Sequence, residues 1–183
     1  MSLLPVDEIN DIVDYTEVVA VVTVTAEIFE ELPANDNQPV FFKRFLHVSV
    51  DEILLDTGVA IETSVTLQVL GAFKSDGELL QETVDGAPHI EVGRQYVVSL
   101  IRDGDYWIPQ DPMAVFEYPD GRVSMNGHRQ AQTIPIDGLT SSELRTLLTQ
   151  TPRDTIAEEY LELPSLERSA AVAEERSEGD SAN

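Results

Sequence analysis

Apolar side chains recur at every second position from Val18 to Ile28 (Val18, Ala20, Val22, Val24, Ala26, Ile28), with Glu17, Thr23, Thr25 and Glu27 on the other face. A two-residue period is that of a strand, and β-branched Val and Thr suit it. Val19, Val21 and Phe29 break the polar face, which predicts a long strand that curls and is covered on both sides for part of its length. Residues 40–50 alternate again. Val40, Phe42, Leu46, Val48 and Val50 share one face, interrupted by Arg44, and Phe41, Lys43, Phe45, His47 and Ser49 share the other. Val65, Leu67 and Val69 continue the theme over 63–70. Three hairpins follow. Ser75-Asp76-Gly77 turns into GELLQETV, Asp103-Gly104 joins a strand through Tyr96, Val98 and Leu100 to Tyr106–Ile108, and Pro119-Asp120-Gly121 joins AVFEY to RVSM. Asp-Gly supplies the positive φ that a tight hairpin turn requires. Short strands punctuated in this way predict a sandwich or a small closed barrel, closure also removing exposed edges.

Past Asp137 the period becomes helical. Thr140 and Glu143 form a capping box, with Leu139 placed to staple onto Leu144, so a helix to about Gln150 is predicted, burying Leu144, Leu147 and Leu148. Thr151-Pro152 with Asp154 marks the start of a second short helix presenting Ile156, Ala157, Tyr160 and Leu161. From Pro164 on, the large apolar area is too small to offset the ordering entropy, so a marginal helix with a disordered end is expected. The division that results is a β-barrel domain with a capping helix over 1–150 and an acidic C-terminal helix and flexible tail over 151–183.

The composition narrows the setting. The chain has 183 residues, 42% of them hydrophobic, enough for one domain with a real core. Its 34 acids against 11 bases give a net charge of −23, which opposes nucleic acid and anionic lipid surfaces as partners. The only lysines are Lys43 and Lys74. Such a balance suits high salt, export or a solubility requirement. No cysteine is present, hence no disulfide and no thiol nucleophile. The apolar run at 18–24 is far shorter than the roughly 20 residues of a membrane-spanning helix, and the N-terminus has neither the positive region nor the cleavage pattern of an export signal. The expectation is a protein without membrane insertion. It is extracytoplasmic if a signal has been removed, and cytoplasmic or virion-borne otherwise.

Candidate chemistry is sparse. His47, His89 and His128 sit in no GxSxG or HExxH context. A serine, histidine and carboxylate set assembled in space is the enzymatic alternative, a hydrolase. Asp103-Gly104-Asp105 and Asn35-Asp36-Asn37 offer oxygens but do not continue into an EF-hand spacing, and they suit turns better than calcium. Neither a cofactor nor a metal is expected. The sharpest constellation is FFKRFLH, residues 41–47, where Phe41, Lys43, Phe45 and His47 interleave aromatic and basic groups on one strand face, as single-strand-binding OB barrels do. The global negative field turns that face away from polyanions and toward a protein, a peptide or a neutral ligand.

The stretch GAPHIEVGRQYVVSL, residues 86–100, together with VVAVVTV at 18–24, VSVDEILL at 48–55 and FEYPDGRV at 116–123, resembles a family of uncharacterised exported bacterial domains with an OB-like barrel akin to netrin and metalloproteinase-inhibitor modules. The likeness spans about residues 14–150 and implies export without an assigned catalytic activity. The chain departs from that pattern in reading ILLDTG where a VLKG corner is usual. It also lacks the N-terminal cysteine by which true metalloproteinase inhibitors chelate zinc, so inhibition is not implied. The expectation is therefore a mainly β, small, curled antiparallel OB-like barrel with one or two C-terminal helices and an acidic flexible tail. Functionally it is expected to be a non-enzymatic interaction or ligand-binding module using Phe41, Lys43, Phe45 and His47, with a structural assembly protein as the alternative.

Overall fold

The structure, a computed structural model, describes residues 4, 6–33, 40–126, 128 and 133–181. The Asn35–Asn37 turn lies outside them. The chain is mainly β. Strand β1 (Val18–Glu31) pairs on one side with β2 (Val40–Asp56) and, over its first half, on the other side with β5 (Gln95–Asp103). β2 pairs with β3 (Ser64–Ser75), β3 with β6 (Tyr106–Pro109), and β6 with β5, so the pairings run β1-β2-β3-β6-β5 and return to β1 as a ring. β4 (Glu78–Gln81) hangs on β3, and β7 (Val115–Glu117) on β5.

An antiparallel sheet was expected, but the ring is mixed: β3 and β6 run parallel and meet at one registered pair, Leu67 with Trp107. The reason is parity. Five strands cannot alternate in direction around a closed ring, so one seam must be parallel. The hairpins themselves fall where the turn residues put them. Asp76 and Gly77 both have positive φ (52° and 86°) between β3 and β4, and Gly104 has φ 59° between β5 and β6. The third hairpin is reduced to the short β7 and a single bridge from Glu117 to Ser124.

The double burial expected of β1 is present. Val18, Ala20, Val22 and Val24 pack with Leu46, Val48, Leu67, Val98, Leu100 and Trp107 within the ring. Val19 and Val21 pack on the other side with Phe116, Leu144 and Leu148. At about 25 cal/mol per Å² of apolar area, each large side chain so buried contributes roughly 1.5–3 kcal/mol before entropy is counted. The second layer is made by α2 (Ser141–Gln150), whose capping box forms as the sequence indicates. Thr140 accepts from the Glu143 amide, and Glu143 Oε2 accepts from the Thr140 amide at 2.8 Å.

Among the described residues three α-helices follow the strands where one or two were expected, and a further one precedes them. α1 (Ile9–Tyr15) precedes β1 and buries Ile12, Val13 and Tyr15. α3 (Thr155–Glu159) is capped by Asp154, whose Oδ1 accepts from the amides of Ile156 and Ala157. Beyond Pro164 the acidic helix expected there forms as α4 (Ser165–Ser181), and it runs into the stretch expected to be a flexible tail. Val172 is the buried apolar residue late in α4, where it joins Ile101, Ile108, Tyr15 and Ala157. The rest of its anchorage is polar. The carboxylate of Glu17, itself buried, accepts from the amide and hydroxyl of Ser165 through Oε1 and from the amide of Arg102 through Oε2. The buried Arg168 guanidinium donates to the carbonyls of Asp14, Tyr160, Leu161 and Leu163.

β1 outruns β5. Beyond Thr23 it continues with β2, β3 and β4 as a four-stranded ribbon extending past the ring. The β2–β3 register shifts by one residue between Phe42 and Arg44, and Gly71 sits at that irregularity. A Cβ on Gly71 would lie 2.4 Å from the carbonyl oxygen of Phe42, a backbone atom that cannot step aside alone. Gly71→Ala is therefore expected to cost about 1–3 kcal/mol by overpacking, read as a lower urea midpoint, with faster hydrogen exchange confined to the ribbon.

Candidate functional site

The site grows out of strand alternation. Phe41, Lys43, Phe45 and His47 occupy successive odd positions of β2 and share its outer face, while Arg44, Leu46 and Val48 turn inward. Cross-strand pairing then decides what stands beside them. Ile28 of β1 is opposite Phe45, Glu30 is opposite Lys43, Phe73 of β3 is opposite Phe41, and Leu80 of β4 is opposite Phe73. Residues directly opposite in an antiparallel pair lie on the same face with Cβ atoms about 5 Å apart. The outer face thus carries Ile28, Phe41, Phe45, Phe73 and Leu80 around a central lysine.

The four residues singled out from the sequence share that face but differ in state. Phe41 is 41% exposed, its ring 6.5 Å from that of Phe73. Lys43 is exposed. Phe45 is buried, tilted against Tyr106 of β6 at 5.1 Å between ring centres, so its work is to support Tyr106. His47 is half-buried, with Nδ1 and the Thr66 hydroxyl hydrogen-bonded at 3.0 Å. His47, Thr66, Ser64, Glu62, Asp105 and Tyr106 border a surface groove of about 390 Å³. No hydrogen bond joins His47 to Ser64 or to a carboxylate among the described residues.

Phe73, Leu80 and Tyr106 escaped the sequence reading, because one strand's period does not name its neighbours, and Ile28, expected on the face of Val18–Val24, is turned to the outer face by the register shift between Val24 and Ala26. A signal for two of them was available. The Asp76-Gly77 turn fixes Ser75 opposite Glu78, and counting back from it sets Phe73 opposite Leu80.

On the inner side Arg44 is buried near the end of the ring, donating from Nε to Glu27 Oε1 at 2.5 Å and from Nη2 to the Ile90 carbonyl at 2.7 Å. Glu27 also accepts from the Gln81 side-chain amide, Nε2. The loop 82–93 closes over this end, its Glu91 amide donating to the Tyr96 hydroxyl, which donates in turn to the His89 carbonyl. Between loop and ring is a mainly apolar cavity of about 40 Å³ with Arg44 and Val69 in its wall. That is room for a few waters, an order of magnitude below the roughly 300–1,000 Å³ of an ordinary ligand pocket.

Among the described residues, no group of three His, Asp or Glu side chains is placed to hold a metal ion, and no helix is long and apolar enough to cross a membrane. The perturbed carboxyls lie elsewhere. Burial, reinforced by Asp154 and Asp11, raises the Asp14 pKa against the opposing Asp154 amide bond and the Arg153 charge. Burial also raises Asp111, with Asp7 adding to it. Asp51 is also partly desolvated, but hydrogen bonds from Thr23, Gln95 and Ser49 outweigh that and lower its pKa.

These shifts set a pH dependence. A carboxyl whose folded pKa exceeds its unfolded value near 3.9 stabilises the fold fully below that value, and the contribution is lost as pH rises through the folded pKa. Asp51 acts oppositely, and its contribution is lost only in stronger acid, below about pH 4. Asp14 and Asp111 are therefore expected to add stability as pH falls from 7.5 toward the ordinary carboxylate range, about pH 4, relief of the −23 charge acting in the same direction. Urea unfolding at the two pH values measures it, and Asp14→Asn should reduce the difference by stabilising the protein at pH 7.5.

No protein-family model matches the chain, and no curated protein matches it either.

Proposed function

We propose that this chain is a non-enzymatic protein-interaction module that presents the outer face of its β1–β2–β3–β4 ribbon to a partner, carried on an OB-like barrel and working outside the cytoplasm. The observation that carries the reading is the clustering of apolar side chains on one sheet face: Phe41 (41% exposed) and Leu80 (42%) flank Phe73 across β2–β3–β4, and Ile28 (43%) and Tyr106 (39%) flank Phe45 further along β2. Scattered exposed apolar residues are ordinary, whereas a contiguous set spanning adjacent strands is the usual mark of an interaction surface. The barrel type is supported by pairing order: strand three meets the last ring strand in parallel, and the first ring strand closes on the fourth. In OB barrels the face of strands two and three is the binding face, and it is the face occupied here by Phe45, His47 and Thr66. Export rests on the resemblance at residues 86–100.

A photo-cross-linking amino acid placed at position 41 tests the reading. Adducts formed from position 41 and absent when the same group stands at exposed Val92 support it. Equal labelling at both positions, or none, overturns it.

A further inference from the structure

We infer that the end of the ring beneath the loop 82–93 is a binding site for a small neutral molecule, largely apolar and carrying one hydrogen-bond acceptor, and that Arg44 is the group that reads the acceptor. The site is separate from the ribbon's outer face and does not depend on what that face meets.

Arg44 is the first argument. Its side chain is 4% exposed and borders the cavity. Nε donates to Glu27 and Nη2 to the Ile90 carbonyl, which leaves Nη1 with no acceptor among the described residues. Most of the remaining wall is apolar, with Val69, Pro112 and Val115 on the ring side and Val84, Ala87 and Pro88 on the loop side. A mainly apolar hollow with few convergent polar groups, at the mouth of a closed sheet, is a common form of small-molecule site.

Charge fixes the class of ligand. Glu27 already meets the Arg44 charge, so an anion finds no uncompensated cation here. The exposed Glu82 beside the cavity and the −23 of the whole molecule oppose an anion as well. A cation would meet the guanidinium itself. What remains is a neutral molecule whose oxygen accepts from Nη1. A bare hydrocarbon would displace the water that otherwise serves that donor and leave it unmet, so the acceptor is part of the specificity.

Access follows from how the cover is held. At about 40 Å³ the cavity has room for a few waters, so a ligand enters only when the loop moves. The loop is tied unevenly. Residues 89–91 are pinned, by Arg44 at the Ile90 carbonyl and by Tyr96 at the Glu91 amide and the His89 carbonyl. Residues 83–88 make one hydrogen bond among the described residues, from the Ala87 amide to the Val84 carbonyl, and it is internal to the segment. Segments with few buried contacts and few hydrogen bonds are those that open locally. Lifting 83–88 beside the pinned 89–91 widens the pocket while Arg44 keeps its place.

Cyclohexanone, cyclohexanecarboxylate and cyclohexylammonium share one ring and differ in charge, and titrating each into the isotope-labelled full chain, followed by amide chemical shifts, gives the test. Cyclohexanone is expected to shift the amides of 83–91 saturably, with a Kd of about 1–10 mM, the scale for so small a ligand. Each charged analogue should bind about tenfold more weakly or worse. The double change Arg44→Met with Glu27→Gln removes the donor and keeps the volume, and should weaken cyclohexanone binding about fivefold or more. Ala87→Leu, which fills the cavity from the loop side, should abolish the shifts and leave the rest of the spectrum unchanged. Absence of a saturable shift at 83–91 up to about 100 mM cyclohexanone overturns the proposal. So does tighter binding of the carboxylate, which would make Arg44 an anion site, and so does equal affinity in the double variant or a response that survives Ala87→Leu.

Discussion

Arg168→Ala is expected to lower folding stability by about 3–5 kcal/mol, the usual consequence of removing one side of a buried charged hydrogen-bond cluster. The guanidinium is 1% exposed and donates to four main-chain carbonyls, at 2.7 Å to Asp14, 3.1 Å to Leu163, and 3.3 Å to both Tyr160 and Leu161. Alanine leaves those carbonyls without donors in a place water enters poorly, and each orphan costs about 1–3 kcal/mol before relaxation. In a chain of this length the loss corresponds to a fall of roughly 10 °C in Tm. The damage should be local first. α3 and α4 lose their tie to α1, so limited proteolysis is expected to cut near Leu161–Leu163 at protease levels that spare the wild type. Arg168→Lys, which keeps the charge but cannot span four acceptors, should recover less than half of the loss. Equal stability of Arg168→Ala and wild type in urea would show that α4 is not held in this way.

The second large effect is at Arg44. Its side chain is 4% exposed and its partner Glu27 23%, so the pair is mostly, though not fully, withdrawn from water. Removing the guanidinium strands the Glu27 carboxylate and the Ile90 carbonyl together. Because Glu27 retains some solvent, about 2–3 kcal/mol is the expected cost of Arg44→Ala, less than at Arg168. Amides in the loop 82–93 should then exchange faster, since Arg44 and Tyr96 pin it from beneath. The double change Arg44→Met with Glu27→Gln removes both charges and keeps the volume, and should stay within about 1 kcal/mol of wild type. If the single and the double change cost the same, the Arg44 charge is not what makes this pair matter.

How much of this was readable from the chain depends on the range of the interaction. Local signals transferred well. The two-residue period from Val18, the Asp-Gly turns and the Thr140–Glu143 box each act within a few residues, and each produced the element they indicate. α1 was available and overlooked. Ile9, Ile12 and Val13 have helical spacing, but seven residues hold too short a period to distinguish a helix from a loop. The marginal helix expected beyond Pro164 forms as α4, but apolar counting could not supply its anchorage, which comes from Glu17 and Arg168 meeting groups some 150 residues away in sequence. The parallel seam followed from odd strand number, a property of the ring and of no single segment. For the candidate site the sequence supplied one strand face complete, Phe41 to His47. It could not say that Tyr106 would cover Phe45, or that Ile28 and Phe73 would widen the apolar surface, since register joins them.

The Glu17 carboxylate has a consequence for how the molecule comes into being. A ribosome delivers Glu17 and its β5 neighbour Arg102 well before Ser165, and the acceptor that will cap α4 is then occupied on one oxygen only. N-terminal portions of a nascent chain emerge first, so until Ser165 is made the Oε1 atom of Glu17 lacks the donors that α4 brings. A polypeptide released early, short of residue 165, keeps an unmet charge at the start of its first strand.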